Sequence, residues 1–544
     1  MTVQKSTSSR AGNAPTPHGR GVRGLGLSRS SLLFTGAFGR MFRALPPAEF
    51  GVNDAENLAN LHELAVRMVS GRDEPKDGPD AEESGIPALY TYLGQFVDHD
   101  LTFDPASSLQ QQNDPDGLVD FRTPRFDLDN VYGRGPDDQP YLYDFSGGPG
   151  RTKFWLGKPL SGGGALNQQA RDLPRNDTRT APGQPARAII GDPRNDENVL
   201  VSQFQSLFFR FHNRLIEDRG LSFADAQRTL RFHYQWMLIH DFLVKLVNPE
   251  TLHSVFPHLA NGTSIAKTSP VLRFYHAKND AFMPLEFSVA AYRFGHSMVR
   301  PGYRLNDADE TLLPIFGQKG RPERPHSLRG FMAPADNWAL DWARFIDIEN
   351  RPNGVMLDED HKTPEGNDPT PEQLEENKRR LQLAYRIDSS IAFPLGDLPS
   401  DIADLIVPSL AERNLLRGWR LRLPTGQSVA KAMGEKVLDE VLIGKFAEQP
   451  ETQPIESVRP VFANNCPLWT YCLAETAKHT VIGHAGVRSK LLGPVGGRIV
   501  AETFAGLLMY DSQSFLSQDP TWRPTIGDGA GFGLREFVNF ALGR

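Results

Sequence analysis

The stretch LGQFVDHDLTFD, residues 93–104, predicts a helix that carries a polar cluster among apolar residues. On a helix, positions three and four apart share a face, so Gln95, Asp98 and His99 point the same way. Asp100 projects about a quarter turn away, towards a different neighbour. Buried polar groups cost free energy unless they are paired. By itself, the stretch fits either a functional site or a buried histidine satisfied by its neighbours.

The composition suits a large protein with a substantial core. The chain has 544 residues, of which 39% are hydrophobic, and a formal net charge of -7. This mild acidity gives no reason to expect a nucleic acid or an anionic membrane as a partner. No run of the sequence approaches the roughly 20 apolar residues of a membrane span. The 49 Gly and 42 Pro residues indicate long, ordered loops between helices.

The N-terminal residues and the cysteines bound the domain organisation. Residues 1–31 are basic and rich in Ser, Gly and Pro, without the apolar stretch of a secretory signal. We therefore expect a mobile arm over 1–31 and one domain over 32–544. The 2 cysteines, Cys466 and Cys472, exclude a disulfide framework but leave open one short bridge or two buried thiols.

The stretch TPRFDLDNVYG, residues 123–133, places oxygen-bearing residues at every second position. In an extended chain, Thr123, Arg125, Asp127 and Asp129 would lie on one side. Carboxylates, a hydroxyl and backbone carbonyls are the ligands that Ca²⁺ prefers. The stretch lacks the glycine and the terminal glutamate of an EF-hand. It fits either a calcium site, to which Asp100 adds a carboxylate, or a solvated acidic loop.

Two further stretches carry candidate residues on predicted helices. GDPRNDEN, residues 191–198, opens a long helical pattern in which Arg194 and Glu197 share a face; an ordinary ion pair is the alternative. LEFSVAAYRFGHSMV, residues 285–299, is largely apolar and predicts a buried helix with His296 facing inward. Gly295 permits the close approach of something flat, although a satisfied core histidine explains His296 equally well.

Helical periodicity recurs along most of the chain. It covers residues 34–68, 224–246, 372–383 and 496–510. The stretch 408–421 carries Asn414 among apolar and cationic residues. We therefore predict a mainly α fold, a single large helical domain with long loops and few or no strands.

Five segments together resemble the animal-type haem peroxidases of the peroxidase–cyclooxygenase superfamily, and more narrowly the bacterial members of that family. These segments are GQFVDHD, DLDNVYG, GDPRNDEN, AAYRFGHS and ERNLLRG, and they occur in the family's order. The similarity runs from about Leu45 to the C-terminus. It implies a helical domain built around a central haem b.

The resemblance also implies a role for each candidate residue. His99, Gln95 and Arg194 would form the peroxide pocket, with His99 as the distal histidine and Arg194 as the catalytic arginine. His296 would bind the haem iron, Asn414 would accept a hydrogen bond from its other ring nitrogen, and Arg293 would contact the cofactor. Asp98 and Glu197 would form ester links to haem methyl groups. Asp100, Thr123, Arg125 (through its carbonyl), Asp127 and Asp129 would bind Ca²⁺.

The position of Asn198 limits this covalent chemistry. The most oxidising member of the family has there a methionine that is bonded to a haem vinyl group. Asn198 has no sulfur, so that sulfonium link is not available to this chain.

The implied activity is reduction of hydrogen peroxide through a ferryl porphyrin intermediate, as in a response to oxidative stress. A neutral His99 can act as general base and then acid, and Arg194 can stabilise the charge that develops as the O–O bond breaks. The intermediate would oxidise a halide, thiocyanate or a small aromatic donor. Calcium and this chemistry suit an extracellular location; a cytoplasmic one is the alternative because no signal is visible.

Two other functions fit parts of the pattern. A fatty-acid dioxygenase of the same superfamily needs a tyrosine three residues before the iron-binding histidine; Arg293 stands there, and Tyr292 lies four residues before His296. A calcium-stabilised haem-binding protein without catalysis is the other alternative. An intact pair of His99 and Arg194 argues against it.

Overall fold

The computed structural model describes most of the chain. The described residues are 36–71, 75–102, 119–120, 122–176, 186–278, 280–309, 311–317, 327–358, 360–399, 407–444, 453–527 and 531–544. The arm predicted over 1–31 lies outside them. The described residues are mainly helical and form no closed sheet, which confirms the predicted mainly α class.

Helices make up the framework. In chain order they are α1 Asp54–Met68, α2 Leu89–Leu101, α3 Asp129–Tyr132, α4 Val199–Arg219, α5 Phe223–Met237, α6 Leu243–Leu246, α7 Pro249–Val255, α8 Pro257–Asn261, α9 Pro371–Arg379, α10 Phe393–Gly396, α11 Leu410–Arg420, α12 Gly426–Met433, α13 Leu468–Ala474, α14 Pro494–Met509, α15 Phe515–Gln518 and α16 Leu534–Leu542. The helix predicted over 496–510 is thus confirmed as α14, and the stretch 408–421 contains α11.

Short strands join the loops in small sheets and make up a minor part of the described residues. They are β1 Gly36–Gly39, β2 Glu83–Pro87, β3 Val119–Asp120, β4 Tyr143–Asp144, β5 Lys153–Phe154, β6 Met283–Pro284, β7 Gly302–Arg304, β8 Leu312–Pro314, β9 Leu383–Tyr385, β10 Leu442–Ile443, β11 Gln453–Pro454, β12 Thr480–Ile482 and β13 Arg488–Lys490. β1 lies between β3 and β6, and the other strands form two-stranded pairs. Strands this short carry too little periodicity to be recognised in a sequence.

The predicted helix over 34–68 was wrong in its first half. Residues 36–39 form β1, and α1 begins only at Asp54. The side chain of Asn53 accepts a hydrogen bond from the backbone N–H of Glu56 at 3.0 Å and so caps the helix. A capping residue rather than the apolar pattern therefore decides where this helix begins.

α4 lies at the centre of the core and positions its neighbours. Its 21 residues are buried on nearly every side. Phe208 stacks on Phe96 of α2 with ring centroids 4.2 Å apart, and Phe537 of α16 packs against Phe208 at 4.6 Å. This aromatic packing fixes α2 against the N-terminal half of α4. It thereby brings residues 95–99 close to residues 194–198.

Residues 285–299 do not form the regular helix that their apolar pattern predicted. A wide helical turn covers Glu286–Ala290, and a tighter 3₁₀ turn covers Ala291–Met298. Side chains bond to backbone groups here: the Arg293 guanidinium donates to the carbonyl of Ser288 at 2.8 Å. The buried Glu286 carboxylate accepts from the backbone N–H of Met41 and Phe42 at 3.1 and 3.0 Å. Tertiary contacts have overridden local helical preference.

The helix predicted over 224–246 is confirmed: α5, a wider π-helical turn at Leu238–Phe242 and α6 follow one another without a break. One other predicted helix ends early. The helix predicted over 372–383 ends at Arg379, and residues 383–385 pair with β2 instead.

A buried ion cluster supplies a test of the fold. Glu83 is 1% exposed and accepts hydrogen bonds from Arg380 at 2.6 and 2.7 Å, and it also contacts Arg300. Glu83→Ala would leave two buried guanidinium groups without their counter-charge. We expect the free energy of unfolding, measured by urea denaturation, to fall by about 3–5 kcal/mol.

The matched control is the exposed pair of Glu63 and Arg459. Water solvates both groups, so Glu63→Ala should leave the urea midpoint nearly unchanged. Equal midpoints for the two variants would contradict a structural role for the buried cluster.

Candidate active site

The segment 285–299 is fastened to α2. The hydroxyl of Tyr292 donates to the carbonyl of Gly94 at 3.2 Å. One residue further on, Nη1 of Arg293 lies 3.8 Å from Oδ2 of Asp98. His296 and His99 thus belong to two elements that are joined directly by a hydrogen bond and an ion pair.

A gap nevertheless remains between these elements. The side chains of Asp98, Glu197 and Arg293 are 19%, 22% and 23% exposed, although most residues around them are fully buried. A Cβ added to Gly295 would meet no atom within 4 Å. Charged groups and a bare backbone therefore line free space inside the protein. This lining fits a flat prosthetic group with polar substituents.

His296 has the properties of a metal ligand. Its Nδ1 lies 2.8 Å from the side-chain amide nitrogen of Asn414, which α11 supplies. Burial, and then the charge of Arg293, lower the pKa of His296 to about 3, so the ring is neutral at pH 7. A half-turn of the Asn414 amide would present its oxygen to Nδ1–H and leave Nε2 unprotonated, as metal binding requires.

On the α2 side of the gap, polar side chains form a connected group. Nε2 of His99 lies 3.6 Å from Oε1 of Glu197. The amide of Gln95 donates to Glu197, and the amide of Asn198 donates to Oε1 of Gln95 at 3.2 Å. Burial raises the pKa of Glu197 to about 7. The structure thus brings together Gln95, His99 and Glu197 as the sequence analysis expected.

The second ring nitrogen of His99 has a partner that the sequence analysis missed. Nδ1 of His99 lies 2.7 Å from the side-chain oxygen of Asn195. Burial, and then the charge of Arg194, lower the pKa of His99 to about 4, so this ring is also neutral at pH 7. Asn195 stands next to Arg194 in GDPRNDEN, but no periodicity distinguished it as a partner.

Arg194 is held by a carboxylate that the sequence analysis also missed. Its Nη2 donates to Oδ2 of Asp192 at 2.8 Å and to the carbonyl of His99 at 2.9 Å. Asp192 also accepts from Nε of Arg122 at 3.0 Å. Although burial opposes them, Arg122 and Arg194 hold the pKa of Asp192 well below its usual range. The guanidinium of Arg194 is therefore fixed beside His99.

Three of the predicted calcium ligands converge. Asp100, Asp127 and Asp129 each offer an oxygen within 4.8 Å of the others. Among the described residues, neither oxygen of Asp100 has a hydrogen bond of normal geometry. Burial and the carboxylates of Asp127 and Asp129 raise the pKa of Asp100 well above its usual value. Buried, crowded carboxylates of this kind fit a divalent cation that would neutralise them.

The other two predicted ligands lie in the same loop. The carboxylate of Asp127 accepts two hydrogen bonds. The hydroxyl of Thr123 donates to its Oδ2 at 2.6 Å, and the backbone N–H of Asp129 donates to its Oδ1 at 3.1 Å. Arg125 lies between them, and its backbone N–H donates to the carbonyl of Thr123 at 2.8 Å. Leu128 adopts φ 62°, which turns the chain so that both aspartates face Asp100.

Comparison with known proteins gives the family. A family model described as animal haem peroxidase matches residues 108–318. Over this range the chain is similar to animal haem peroxidases. The matched range includes Arg194, Glu197 and His296, whereas His99 and Asn414 lie outside it. The family implies haem as the cofactor and suggests an oxidoreductase.

Curated relatives resemble this peroxidase domain over part of their length. The human protein named probable oxidoreductase PXDNL is 27% identical over 235 residues, which are 40% of this chain and 15% of that protein. Thyroid peroxidase of Canis lupus familiaris is 24% identical over 233 residues, 40% of this chain and 23% of its own. The match spans less than a quarter of each relative.

Solved structures share the fold of this chain. Peroxidase A of Dictyostelium discoideum aligns with a TM-score of 0.55 and 16% identity, covering 90% of this chain and 89% of that one. A fatty acid alpha-dioxygenase of Oryza sativa, solved with palmitic acid, aligns with a TM-score of 0.51 and 14% identity over 91% and 78% of the chains. At these identities the likeness concerns the fold alone.

Cys466 and Cys472 are both buried free thiols, so the bridged alternative does not apply. In the described part of the chain, every helix is too short or too polar to cross a bilayer.

Proposed function

We propose that this protein is a haem-dependent peroxidase that reduces hydrogen peroxide and oxidises a small donor. The observation that carries the proposal is the pair of neutral histidines on elements that border one internal gap, with a fixed arginine beside one of them. His99 and His296 are both neutral at pH 7, and Arg194 contacts the backbone of His99.

His296 is the residue that would hold the haem iron. Asn414 would orient the ring and tune its basicity, as partners of metal-bound histidines commonly do. Arg293 lies between His296 and Asp98 and would contact the cofactor from the same side. Haem bound there would supply the iron redox chemistry by which a peroxide O–O bond is broken.

Asp98 and Glu197 are the carboxylates that would form ester links to the haem. Both are partly exposed to the gap and come from different elements, α2 and the turn before α4. Two such attachments would restrict the position of the haem more strongly than the iron ligand alone.

His99 would move the proton that peroxide cleavage requires. A neutral imidazole can accept a proton from one peroxide oxygen and return it to the other, which needs Nε2 to be free. Gln95 and Glu197 lie on the same side of the ring and would position the peroxide. Arg194, fixed by Asp192, would stabilise negative charge on the departing oxygen.

The donor is the least constrained part of the proposal. The polar group of Gln95, Glu197 and Asn198 suits a small anion or hydrophilic donor, so halide, thiocyanate and small aromatic donors are the candidates. The competing dioxygenase activity finds no support at its key position: Arg293 stands three residues before His296, and the hydroxyl of Tyr292 is bonded to Gly94.

Calcium at Asp100, Thr123, Arg125, Asp127 and Asp129 would stabilise the peroxide pocket. Asp100 is adjacent to His99 on α2, so a cation there would hold the end of the helix. Arg122 links the predicted calcium site to the peroxide pocket, because it pairs with Asp129 in the first and with Asp192, which holds Arg194, in the second.

The haem ligand is tested by His296→Ala. Without this ring the iron has no protein ligand, so we expect haem to be lost during gel filtration and the haem absorbance per protein to fall close to zero. His276→Ala, which changes an exposed histidine, is the control and should retain haem. Retention of a full haem complement with an unchanged spectrum would reject the assignment of His296.

The proton transfer is tested by His99→Ala. The variant should bind haem as wild type does but react with hydrogen peroxide about 10²–10⁴ times more slowly, followed by stopped-flow absorbance. Donor oxidation, assayed with iodide, thiocyanate and guaiacol, should fall in parallel. A rate constant close to that of wild type would refute the role of His99, and background turnover by the wild-type protein would refute the peroxidase function itself.

The calcium site is tested by Asp100→Asn. Removing one buried carboxylate relieves repulsion, so the variant should be at least as stable as wild type in a chelator but gain no stability from calcium. Wild type should gain about 2.7 kcal/mol at a calcium concentration one hundred times the Kd. Asp368→Asn, an exposed control, should respond to calcium as wild type does. An unchanged calcium response in Asp100→Asn would disprove the site.

A further inference from the structure

We propose that Asn195 is a positioning residue that keeps Nδ1 of His99 protonated and Nε2 unprotonated, ready to accept a proton from a peroxide. This inference rests on the proposed peroxidase function, because it assigns a purpose to the hydrogen bond of the residue that would transfer the proton.

The first step is the geometry of the contact. The side-chain oxygen of Asn195 lies 2.7 Å from Nδ1 of His99, a short distance for a hydrogen bond that involves nitrogen. Asn195 is completely buried and His99 is 5% exposed, so water does not compete for the contact. In a neutral imidazole, the partner of one nitrogen decides where the single proton lies.

The second step is the orientation of the amide. The side-chain nitrogen of Asn195 donates to Oε1 of Gln205 at 2.8 Å, and Gln205 is also completely buried. An amide that donates at one end presents its oxygen at the other. Gln205 thus turns the oxygen of Asn195 towards His99, which favours a proton on Nδ1.

The third step is how the chain places Asn195. It lies in the short turn Pro193–Asp196, where its backbone N–H donates to the carbonyl of Asp192 at 3.1 Å. The side chain of Asn198 caps α4 by accepting from the backbone N–H of Val201 at 2.8 Å. The turn that holds Arg194 at the backbone carbonyl of His99 therefore also holds Asn195 at Nδ1 of the ring.

The opposite arrangement is physically possible and defines the test. If Gln205 donated to Asn195, and Asn195 donated to Nδ1, the proton of His99 would lie on Nε2. The ring could not then act as a base towards peroxide from that nitrogen. The two arrangements differ by a half-turn of both amides, which exchanges the nitrogen and oxygen of each and moves the ring proton of His99 from Nδ1 to Nε2.

The experiment compares Asn195→Ala with Asn195→Asp. Nitrogen-15 NMR of histidine-labelled haem-free protein identifies the protonated nitrogen of His99, whose signal is the one missing from His99→Ala. We expect wild type to carry its proton on Nδ1 and Asn195→Ala to lose this preference. Asn195→Asp keeps an oxygen acceptor and should restore it.

The haem-loaded protein supplies a second measurement. Asn195→Ala should react with hydrogen peroxide about 10–100 times more slowly than wild type, and Asn195→Asp should recover most of the rate. The control is Gln203→Leu, which removes a buried amide of α4. The amide nitrogen of Gln203 donates to the carbonyl of Trp338 at 2.7 Å, and its oxygen accepts from the backbone N–H of Leu340 at 2.8 Å. It should lower stability without changing the signal of His99 or its rate.

The outcomes separate the two proposals. A wild-type His99 protonated on Nε2, or an Asn195→Ala variant with an unchanged His99 signal and rate, would overturn the role of Asn195. If Asn195→Ala did not fold, the wild-type spectrum and Asn195→Asp would still decide. Failure of the wild-type holoprotein to react with peroxide would instead overturn the peroxidase function, while the NMR result on haem-free protein would stand.

Discussion

The attachment of the segment 285–299 to α2 is the constraint on which the candidate site depends. Tyr292 binds the carbonyl of Gly94, and Arg293 faces Asp98, so the two elements cannot separate without breaking buried contacts. Close to these contacts, a Cβ added to Gly295 would meet no atom within 4 Å, so the backbone there borders free space. A proposed flat cofactor needs the elements around it to be held in place, and the two contacts hold them.

Charge compensation couples this gap to the cation cluster. Arg194 binds Asp192, Asp192 binds Arg122, and Arg122 reaches Asp129, so charges of alternating sign run from the peroxide side to the predicted calcium ligands. Each buried charge has an opposite charge next to it, which repays much of the cost of its desolvation. Asp100 lies at the end of this series, and its oxygens have no hydrogen bond of normal geometry among the described residues. A bound cation would complete the series at the residue adjacent to His99.

Much of the site could be predicted from the sequence because its residues occur in short, ordered segments. Gln95, His99 and Glu197 converge, as do Asp100, Asp127 and Asp129, and Asn414 reaches His296. Local spacing indicated the faces, and the resemblance to haem peroxidases related segments that lie far apart. Asp192, Asn195 and Arg122 were missed because a hydrogen-bond partner has no periodicity. The helix expected over 285–299 was wrong because the Arg293 side chain takes a backbone carbonyl that helical periodicity assumes to be bonded within the helix.

The sequence by itself determined the helical class, the candidate residues and the apolar setting of both histidines, since these follow from composition and local order. Only the tertiary structure decided which nitrogen of His99 has a partner, how Arg194 is held and that free space remains beside Gly295. These properties depend on distances between segments separated by about a hundred residues or more, such as His99 and Asn195 or His296 and Asn414. Such distances are set by the packing of α2, α4 and α11 around one core, which no single segment encodes.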